Sequence, residues 1–549
     1  MTIKPPLRDL DITTADTGFY EGFNPYVTLG AKIAIGLLIV WAAVWSETAG
    51  NVLTAVRSTI DANTGPWYMA IVTFFIVTAF ALALTPATGR LKLGQPGDEP
   101  EFRWFSWVSM MFGAGIGIGM LTYATAEPLN HFGSNPEVIR GLTTANGADN
   151  VRDAFKWSFL HWGLSAWACY AIVGLSLAFF SYARGLPLTI RSGLTPLFGR
   201  ALEGPLGHVI DVVAVVATIL GVAVTIGYGV SQFASGVFYI TGAEWLMQDG
   251  VPTVSAMLAA LGVVMTLSVI SALSGVGRGI KWLSNVNMGL SFFILAFLLV
   301  FGSTLFALRG LAVGLWDYLT ALPWMSVRLF RGDGTGGVVD ALAGWQGDWT
   351  IFYWAWWIAF APFVGLFLAR ISKGRTVREF ILGAMIAPTA MCCIWFAIAG
   401  GTAIDLTLNG GAGDAITGVE ISSQLFAMIE VMLSPGWAVA MSTVIVVLLL
   451  TYLITSADSA ILIVNTIAAA GDDSQKGRVH IVMWGVILAL AIGALLVAGG
   501  LDAINTAMII GALPFSLVMV LMAVSLLKAL IRDGRRRAEG QDTTTIPAE

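Results

Sequence analysis

Long apolar segments separated by short polar ones dominate this 549-residue chain and leave it few folds to adopt. A helix needs about 20 apolar residues to cross the roughly 30 Å hydrocarbon core of a bilayer. In lipid every backbone N–H and C=O must bond within the protein, which only helices and closed barrels achieve. Only 11% of the residues are charged, against about 25% in soluble domains. The chain is therefore predicted to be an all-α integral membrane protein.

Twelve segments have the length and apolar character of a membrane-spanning helix. They lie near residues 27–46, 65–86, 104–127, 155–182, 207–240, 252–273, 283–307, 349–371, 378–402, 435–457, 479–499 and 503–530. The stretch 309–347 is mixed in character. It is expected to form an amphipathic helix at the membrane surface, followed by a glycine-rich loop.

The basic residues predict which ends of these helices face the cytoplasm. Placing both termini inside puts 21 of the 29 lysines and arginines on the cytoplasmic side, as the positive-inside rule expects. The outer loop 403–434 then holds four acidic residues and no basic one. We therefore expect a multi-pass protein of the cell (inner) membrane with both termini in the cytoplasm.

Two of the predicted helices contain residues that interrupt helices. Gly113 to Gly119 has glycine at alternate positions, and each glycine weakens a helix by about 1 kcal/mol relative to alanine. This spacing fits either close helix–helix contact or an unwound segment whose carbonyls hold an ion. Ala361-Pro362 is expected to interrupt the eighth helix. Interruptions in both halves indicate an inverted-repeat transporter with its site near the membrane midplane.

The two repeats divide the chain into six segments. Their bounds are 1–26 for a cytoplasmic N-terminal segment, 27–103 for two accessory helices, 104–307 for the first repeat, 308–347 for the interfacial helix and loop, 348–531 for the second repeat and 532–549 for a short cytoplasmic tail.

Aromatic residues concentrate inside two of the apolar segments. Three tryptophans occur within Trp354-Ala-Trp-Trp357, and the fourth predicted helix carries Trp162, Trp167 and Tyr170. On one helix, the latter three would share an arc of about 140°. Membrane tryptophans usually lie at the two water interfaces, and packing explains any one of these residues alone. Together they suit a cation that carries no N–H, such as a quaternary ammonium group, because π-faces attract cations.

Three ordered motifs resemble the betaine/choline/carnitine transporter (BCCT) family. They are Gly113–Pro128 (GAGIGIGMLTYATAEP), Trp349–Phe380 and Thr455-Ser-Ala-Asp-Ser459. The resemblance covers nearly the whole chain, and Arg370–Glu379 matches the family's signature segment. It implies a LeuT-like fold of ten core helices in a 5+5 inverted repeat, two extra N-terminal helices and a homotrimer.

The resemblance also implies a substrate box. Its aromatic members would be Trp162, Trp167, Tyr170 and Trp357. Trp354 shares a helix face with Trp357 and is included among the substrate-binding candidates. Two candidates depart from the family's pattern: Phe360 stands where many members have tryptophan, and Thr122 where a larger aromatic is common. Because both changes enlarge the cavity, glycine betaine, choline, carnitine and dimethylsulfoniopropionate (DMSP) all remain candidates.

A sodium site follows from the same resemblance. Its ligands would be the hydroxyls of Thr455 and Ser456 and the backbone carbonyls of Gly113, Ile116 and Tyr452. The alternative for both hydroxyls is a hydrogen bond to their own helix. A second sodium position would use Thr218 and Phe363, but Val222 replaces a threonine of that pattern. We expect a co-transported sodium ion and no organic cofactor.

Glu127 has two interpretations. Ionisable residues inside membrane spans are functional by default, which makes it a candidate proton-active or gating group. A charge at the outer mouth that pairs locally is the alternative, and it is the one preferred here. His161, next to Trp162, is expected to be a hydrogen-bonded packing residue. We expect no His/Asp/Glu cluster with metal spacing.

The chain is therefore predicted to be a sodium-coupled secondary transporter, not an enzyme. It would import a methylated onium compatible solute by alternating access, with membrane lipid and further copies of itself as partners and no nucleic acid. Two alternatives stay open: a sodium-independent exchanger of carnitine- or betaine-type solutes, and a proton-coupled choline carrier. An enzyme acting on choline-like compounds would need a cofactor motif or a catalytic cluster, and the sequence shows neither.

Overall fold

The computed structural model describes residues 5–95, 97–113, 117–274, 281–472, 474 and 477–540. In these ranges, helices of nine or more residues follow one another as α1 (Pro25–Val44), α2 (Ser46–Leu84), α3 (Trp104–Gly113), α4 (Gly117–Gly133), α5 (Val151–Trp162), α6 (Leu164–Ala178), α7 (Pro205–Thr241), α8 (Val254–Ser274), α9 (Lys281–Phe301), α10 (Thr304–Met325), α11 (Val338–Gln346), α12 (Phe352–Arg370), α13 (Val377–Leu408), α14 (Ile421–Met432), α15 (Pro435–Ala468) and α16 (Arg478–Ala538). The only sheet in the described part of the chain pairs β1 (Met247–Gln248) with β2 (Val251–Pro252). The predicted all-α membrane fold is confirmed.

Eleven helical segments of the described residues are long and apolar enough to cross a membrane. One of them, α16, leaves the helical conformation at Gly499 and Gly500, where φ of Gly500 is +66°, so it contains two of the predicted segments. The third predicted segment is divided between α3 and α4, and residues 114–116 lie outside the described ranges. The count of twelve therefore stays a prediction. The helix expected at the membrane surface corresponds to α10, which is itself one of the eleven.

The second helix is longer than the hydropathy pattern indicates. It begins at Ser46, although the apolar segment begins near residue 65, and it continues through Pro66. Proline removes one helical N–H, but the neighbouring turn is held from outside the helix. Trp67 Nε1 donates to Ser516 Oγ at 2.8 Å, and Tyr68 OH donates to the Ile509 carbonyl at 3.0 Å.

The expected interruption at Ala361-Pro362 is wrong, because α12 is continuous from Phe352 to Arg370. Every residue from Phe352 to Leu366 is buried, so packing on all sides of the helix compensates for the one N–H that proline lacks. The regular α-helix instead begins after a π-helical turn at Gly347–Ile351. The inverted repeat, which was inferred from the two breaks, stays a prediction.

Helix α12 lies at the centre of the described helices. It packs along α6 and also contacts α7 and α16. Helix α4 packs against α13, α5 and α7. Side chains of α4, α5, α6 and α12 thus meet in the interior, where the candidate site lies.

Candidate functional site

Four aromatic rings from three helices meet at the centre of the protein and are called the aromatic cage here. Its members are Trp162 at the end of α5, Tyr170 on α6, and Tyr353 and Trp357 on α12. The Trp357 ring centroid lies 5.0 Å from that of Trp162, 5.4 Å from Tyr353 and 6.2 Å from Tyr170. Each side chain is at most 3% exposed. Two predicted box members, Trp162 and Trp357, are therefore in ring contact, and Tyr170 closes a second side.

The common arc predicted for Trp162, Trp167 and Tyr170 is wrong, because the fourth helix is not one continuous helix. It breaks at Gly163, whose φ of −90° and ψ of −140° separate α5 from α6. The Trp167 ring contacts Tyr170 at 5.5 Å, edge to face, whereas the Trp162 ring contacts α12. The break thus sends two tryptophans five positions apart to different neighbours.

Because Gly119 has no side chain, α4 can approach the Trp162 ring closely. A Cβ atom added to Gly119 would lie 2.8 Å from the Trp162 ring and 3.3 Å from the Trp356 ring. Real Cβ atoms almost never approach another atom as closely as 2.8 Å, so a side chain at Gly119 would displace the Trp162 indole. At Gly119, the alternating glycines serve close packing.

Three other substrate-binding candidates lie around the cage rather than in it. The ring of Trp354 contacts His161 at 5.9 Å, its one ring contact among the described residues. Phe360 lies 6.4 Å from Tyr170 and 5.0 Å from Phe363. Thr122 Oγ1 lies 2.8 Å from Gln232 Oε1 on α7, so its hydroxyl is engaged by that helix.

Glu127 on α4 is a direct neighbour of the cage, which the sequence interpretation did not anticipate. Its Oε2 accepts hydrogen bonds from Trp162 Nε1 at 2.6 Å and Tyr353 OH at 2.5 Å. Its Oε1 lies 2.6 Å from His161 Nδ1 and 3.2 Å from His131 Nε2. The preferred interpretation, a charge at the outer mouth, does not fit a side chain with no exposure. The i,i+4 spacing of Glu127 and His131 is the signal that sequence reasoning missed.

Glu127, His131 and His161 also place three potential metal-ligand atoms within 4.8 Å of one another, contrary to the expectation that no such cluster exists. A tetrahedral zinc site with bonds near 2.05 Å separates its ligand atoms by about 3.3 Å. Glu127 Oε1 and His161 Nδ1 are 2.6 Å apart, which is the length of a hydrogen bond. The geometry therefore favours a hydrogen-bonded cluster over a metal centre.

Three of the predicted sodium ligands, Tyr452, Thr455 and Ser456, lie on α15, which packs against α4 and α9. Of the carbonyl candidates, Gly113 is the last residue of α3, and Ile116 lies outside the described residues. The Tyr452 ring packs directly on Gly117, where an added Cβ would lie 2.1 Å from it. Gly117, just after the predicted carbonyl segment, thus belongs to a helix that packs against α15.

The two predicted hydroxyl ligands lie on α15. Thr455 Oγ1 lies 3.0 Å from the Thr451 carbonyl, as the helix-bonded alternative expects, and accepts from Asn287 Nδ2 at 3.0 Å. Asn287 on α9 was not identified from the sequence. Its Oδ1 is buried and has no hydrogen-bond partner among the described residues. Ser456 is the half-buried neighbour of Thr455.

The second predicted ion position is largely apolar. Thr218 Oγ1 donates to the Ala214 carbonyl of its own helix at 2.8 Å. Thr218 and Val222 line a small cavity, whose other walls are formed by Ile219, Ala460, Ile461, Val464, Trp484 and Leu488. Phe363 is in ring contact with Phe360. This cavity contributes one hydroxyl and little else that a sodium ion could bind.

Comparison with known proteins identifies the family. A family model described as "BCCT, betaine/carnitine/choline family transporter" matches residues 26–535. An uncharacterised transporter of Mycobacterium tuberculosis is 39% identical over 517 residues, covering 93% of this chain and 83% of the relative. A glycine betaine transporter of Bacillus subtilis is 36% identical over 93% of this chain and 95% of its own length. An osmo-independent choline transporter of Acinetobacter baylyi is 34% identical over 95% of this chain and 96% of its own length. These relatives are transporters rather than enzymes, and this chain belongs to the betaine/carnitine/choline transporter (BCCT) family.

Proposed function

We propose that this protein is a sodium-coupled secondary transporter that imports a methylated onium compatible solute by alternating access. Glycine betaine, choline and DMSP define the substrate class. The observation that carries the proposal is the aromatic cage, buried at the junction of α5, α6 and α12 in a BCCT transporter. We further propose that it functions as a homotrimer in the cell membrane with both termini in the cytoplasm.

The cage suits a methylated cation because aromatic rings form its walls, and the π-face of a ring attracts a cation. A quaternary ammonium or sulfonium group has no N–H to donate, and desolvated cation–π contacts contribute about 2 kcal/mol each. The relatives named as glycine betaine and choline transporters support this ligand class.

Tyr170 supplies a polar group beside these rings. Its hydroxyl is buried without a hydrogen-bond partner among the described residues, and such a group costs about 1–3 kcal/mol. A carboxylate or hydroxyl oxygen of the substrate would satisfy it. The combination of a cation cage with one free hydroxyl fits a small onium solute with an oxygen-bearing end.

Sodium coupling is supported by the oxygen atoms at the crossing of α9 and α15. Sodium favours oxygen ligands, and the unpartnered Oδ1 of Asn287 lies on the residue that bonds Thr455. Among the described residues of α15, Pro435–Ala468, there is no lysine or arginine that could replace the ion. Together with Thr455 and Ser456, this region offers uncharged oxygens for one ion.

The test is uptake by purified protein in liposomes with a sodium gradient. Labelled choline and glycine betaine should each accumulate above equilibrium with sodium outside and fail to do so when potassium replaces it. Trp357→Ala should raise the substrate concentration for half-maximal uptake about fivefold, as for a net loss of about 1 kcal/mol. Equal uptake in both buffers, combined with no effect of Trp357→Ala, would refute the proposal.

The two alternatives predict different outcomes in the same liposomes. A sodium-independent exchanger would require internal substrate and ignore both cations. A proton-coupled choline carrier would respond to an imposed pH gradient without sodium. Native mass spectrometry of the detergent-solubilised protein tests the trimer.

A further inference from the structure

Glu127 connects the walls of the aromatic cage. It lies on α4, and its carboxylate reaches Trp162 and His161 of α5 and Tyr353 of α12. Two of these partners, Trp162 and Tyr353, are cage members and donate to the same oxygen, Oε2, at 2.6 and 2.5 Å. A single side chain therefore anchors two rings that belong to different helices.

The hydrogen-bond pattern suits an ionised carboxylate. An ionised carboxylate only accepts hydrogen bonds and has about four sites for them. Trp162 Nε1 can only donate, and the tyrosine and the two imidazoles supply three further donors. With a hydrogen on Nδ1, His161 can donate to Glu127 and accept at Nε2 from the Thr350 hydroxyl, 3.1 Å away. Four donors then satisfy the anion while both imidazoles remain neutral.

This negative charge has no basic counterpart close by. In the described part of the chain, the ion-pair partners of Glu127 are His131 and His161, and no lysine or arginine pairs with it. A charge buried in low dielectric acts over a longer range than one in water. One side of the aromatic cage thus carries a net negative charge, on the carboxylate that accepts from Trp162 Nε1 and Tyr353 OH.

We propose that Glu127 is a positioning and specificity-determining residue for the substrate. It holds Trp162 and Tyr353 in place through hydrogen bonds, and its charge favours an onium ligand with a net positive charge, such as choline, over a zwitterion, such as glycine betaine. The zwitterion gains less because its own carboxylate is repelled while its onium group is attracted. This inference rests on the proposed function, since it concerns the ligand of the same cage.

The experiment measures the dissociation constants of choline and glycine betaine by calorimetry, using the full-length purified protein and three variants. Glu127→Gln removes the charge but keeps an acceptor for Trp162, and its amide can donate to His161. It should raise the choline constant roughly tenfold more than the betaine constant, as expected for loss of a unit charge within about 7 Å. Tyr353→Phe removes one hydrogen bond and keeps the charge, so both constants should rise by the same factor.

Glu127→Asp separates positioning from charge and serves if the glutamine variant does not fold. The shorter side chain keeps the charge but cannot reach both rings, so affinity for both ligands should fall with their ratio unchanged. Equal effects of Glu127→Gln on both ligands would overturn the specificity assignment. Wild-type affinity in Glu127→Asp would overturn the positioning assignment. If the wild-type protein binds neither ligand, the proposed function itself fails, which is a different result from failure of the variants alone.

Discussion

Replacing Trp357 by alanine should weaken substrate binding far more than replacing its neighbour Trp354. Both tryptophans lie on α12 one helical turn apart, and they are 3% and 1% exposed. Only Trp357 is in ring contact with Trp162, Tyr170 and Tyr353. Its Nε1 donates to the His161 carbonyl at 2.9 Å, which fixes the indole plane.

The expected magnitude follows from the contact that is lost. A desolvated cation–π contact with tryptophan contributes about 2 kcal/mol, of which about 1 kcal/mol is offset by the Trp162–Trp357 ring contact that the ligand replaces. The net loss of about 1 kcal/mol corresponds to about a fivefold increase in Kd. Removal of either buried indole should also cost about 3–5 kcal/mol of folding free energy. The two variants should therefore lose similar stability, whereas only Trp357→Ala should lose affinity of this size. Trp357→Phe, which keeps an aromatic face, should fall between Trp357→Ala and the wild type.

The assay pairs thermal unfolding in detergent with calorimetric titration of choline and glycine betaine. Stability serves as the internal control, because a variant that is merely misfolded loses both signals. If Trp354→Ala weakens binding as much as Trp357→Ala at equal stability, the proposed contact of Trp357 with the substrate is wrong.

Three further outcomes are expected. Thr455→Ala should raise the sodium concentration for half-maximal uptake about tenfold, as for loss of one contact to a charged ligand, with little change in substrate KM at saturating sodium; an unchanged sodium requirement would exclude Thr455 as a ligand. Gly117→Ala should lower the melting temperature and uptake, because the new Cβ would lie 2.1 Å from the Tyr452 ring and overpacking costs about 1–3 kcal/mol. Gly262→Ala, where nothing lies within 4 Å, is the matched control: it should leave uptake unchanged and should not lower the melting temperature, because alanine favours the helix. The three cysteines, Cys169, Cys392 and Cys393, are all buried. Maleimide should therefore label none of them in the folded protein and all three after denaturation; labelling before unfolding would contradict their burial.

The apolar runs predict most of the helices, because a segment surrounded by lipid must satisfy its own backbone. They predict less where a helix continues into a polar stretch, as α2 does from Ser46 to the apolar part near residue 65. Single residues can wrongly predict a helix break or fail to predict one. Pro362 does not interrupt α12, since its surroundings hold the helix, whereas Gly163 separates two helices that hydropathy joins.

The sequence also predicts only some of the side chains that meet at the candidate site. The clustering of aromatic residues in the sequence predicts three of the four cage rings, namely Trp162, Tyr170 and Trp357. Tyr353 was missed because a tyrosine among tryptophans carries no separate signal. The hydrogen bonds of Glu127 join it to residues 35 and 226 positions away, and no local pattern encodes contacts between residues so far apart.

The closeness of the cage rings bears on how strongly a substrate can bind. Trp162 and Trp357 lie 5.0 Å apart, edge to face, which is a favourable aromatic pair worth about 0.5–1.5 kcal/mol. A methylated cation contacts the face of a ring, so it can enter between these two only if they separate. Each new cation–π contact, about 2 kcal/mol, is then partly offset by the ring contact that it replaces. The net gain per ring is nearer 1 kcal/mol, and several rings are needed for useful affinity. A cage of four rings, two of them anchored by one carboxylate, would meet that requirement in the proposed transporter, because the hydrogen bonds of Glu127 limit how far Trp162 and Tyr353 move when the rings separate.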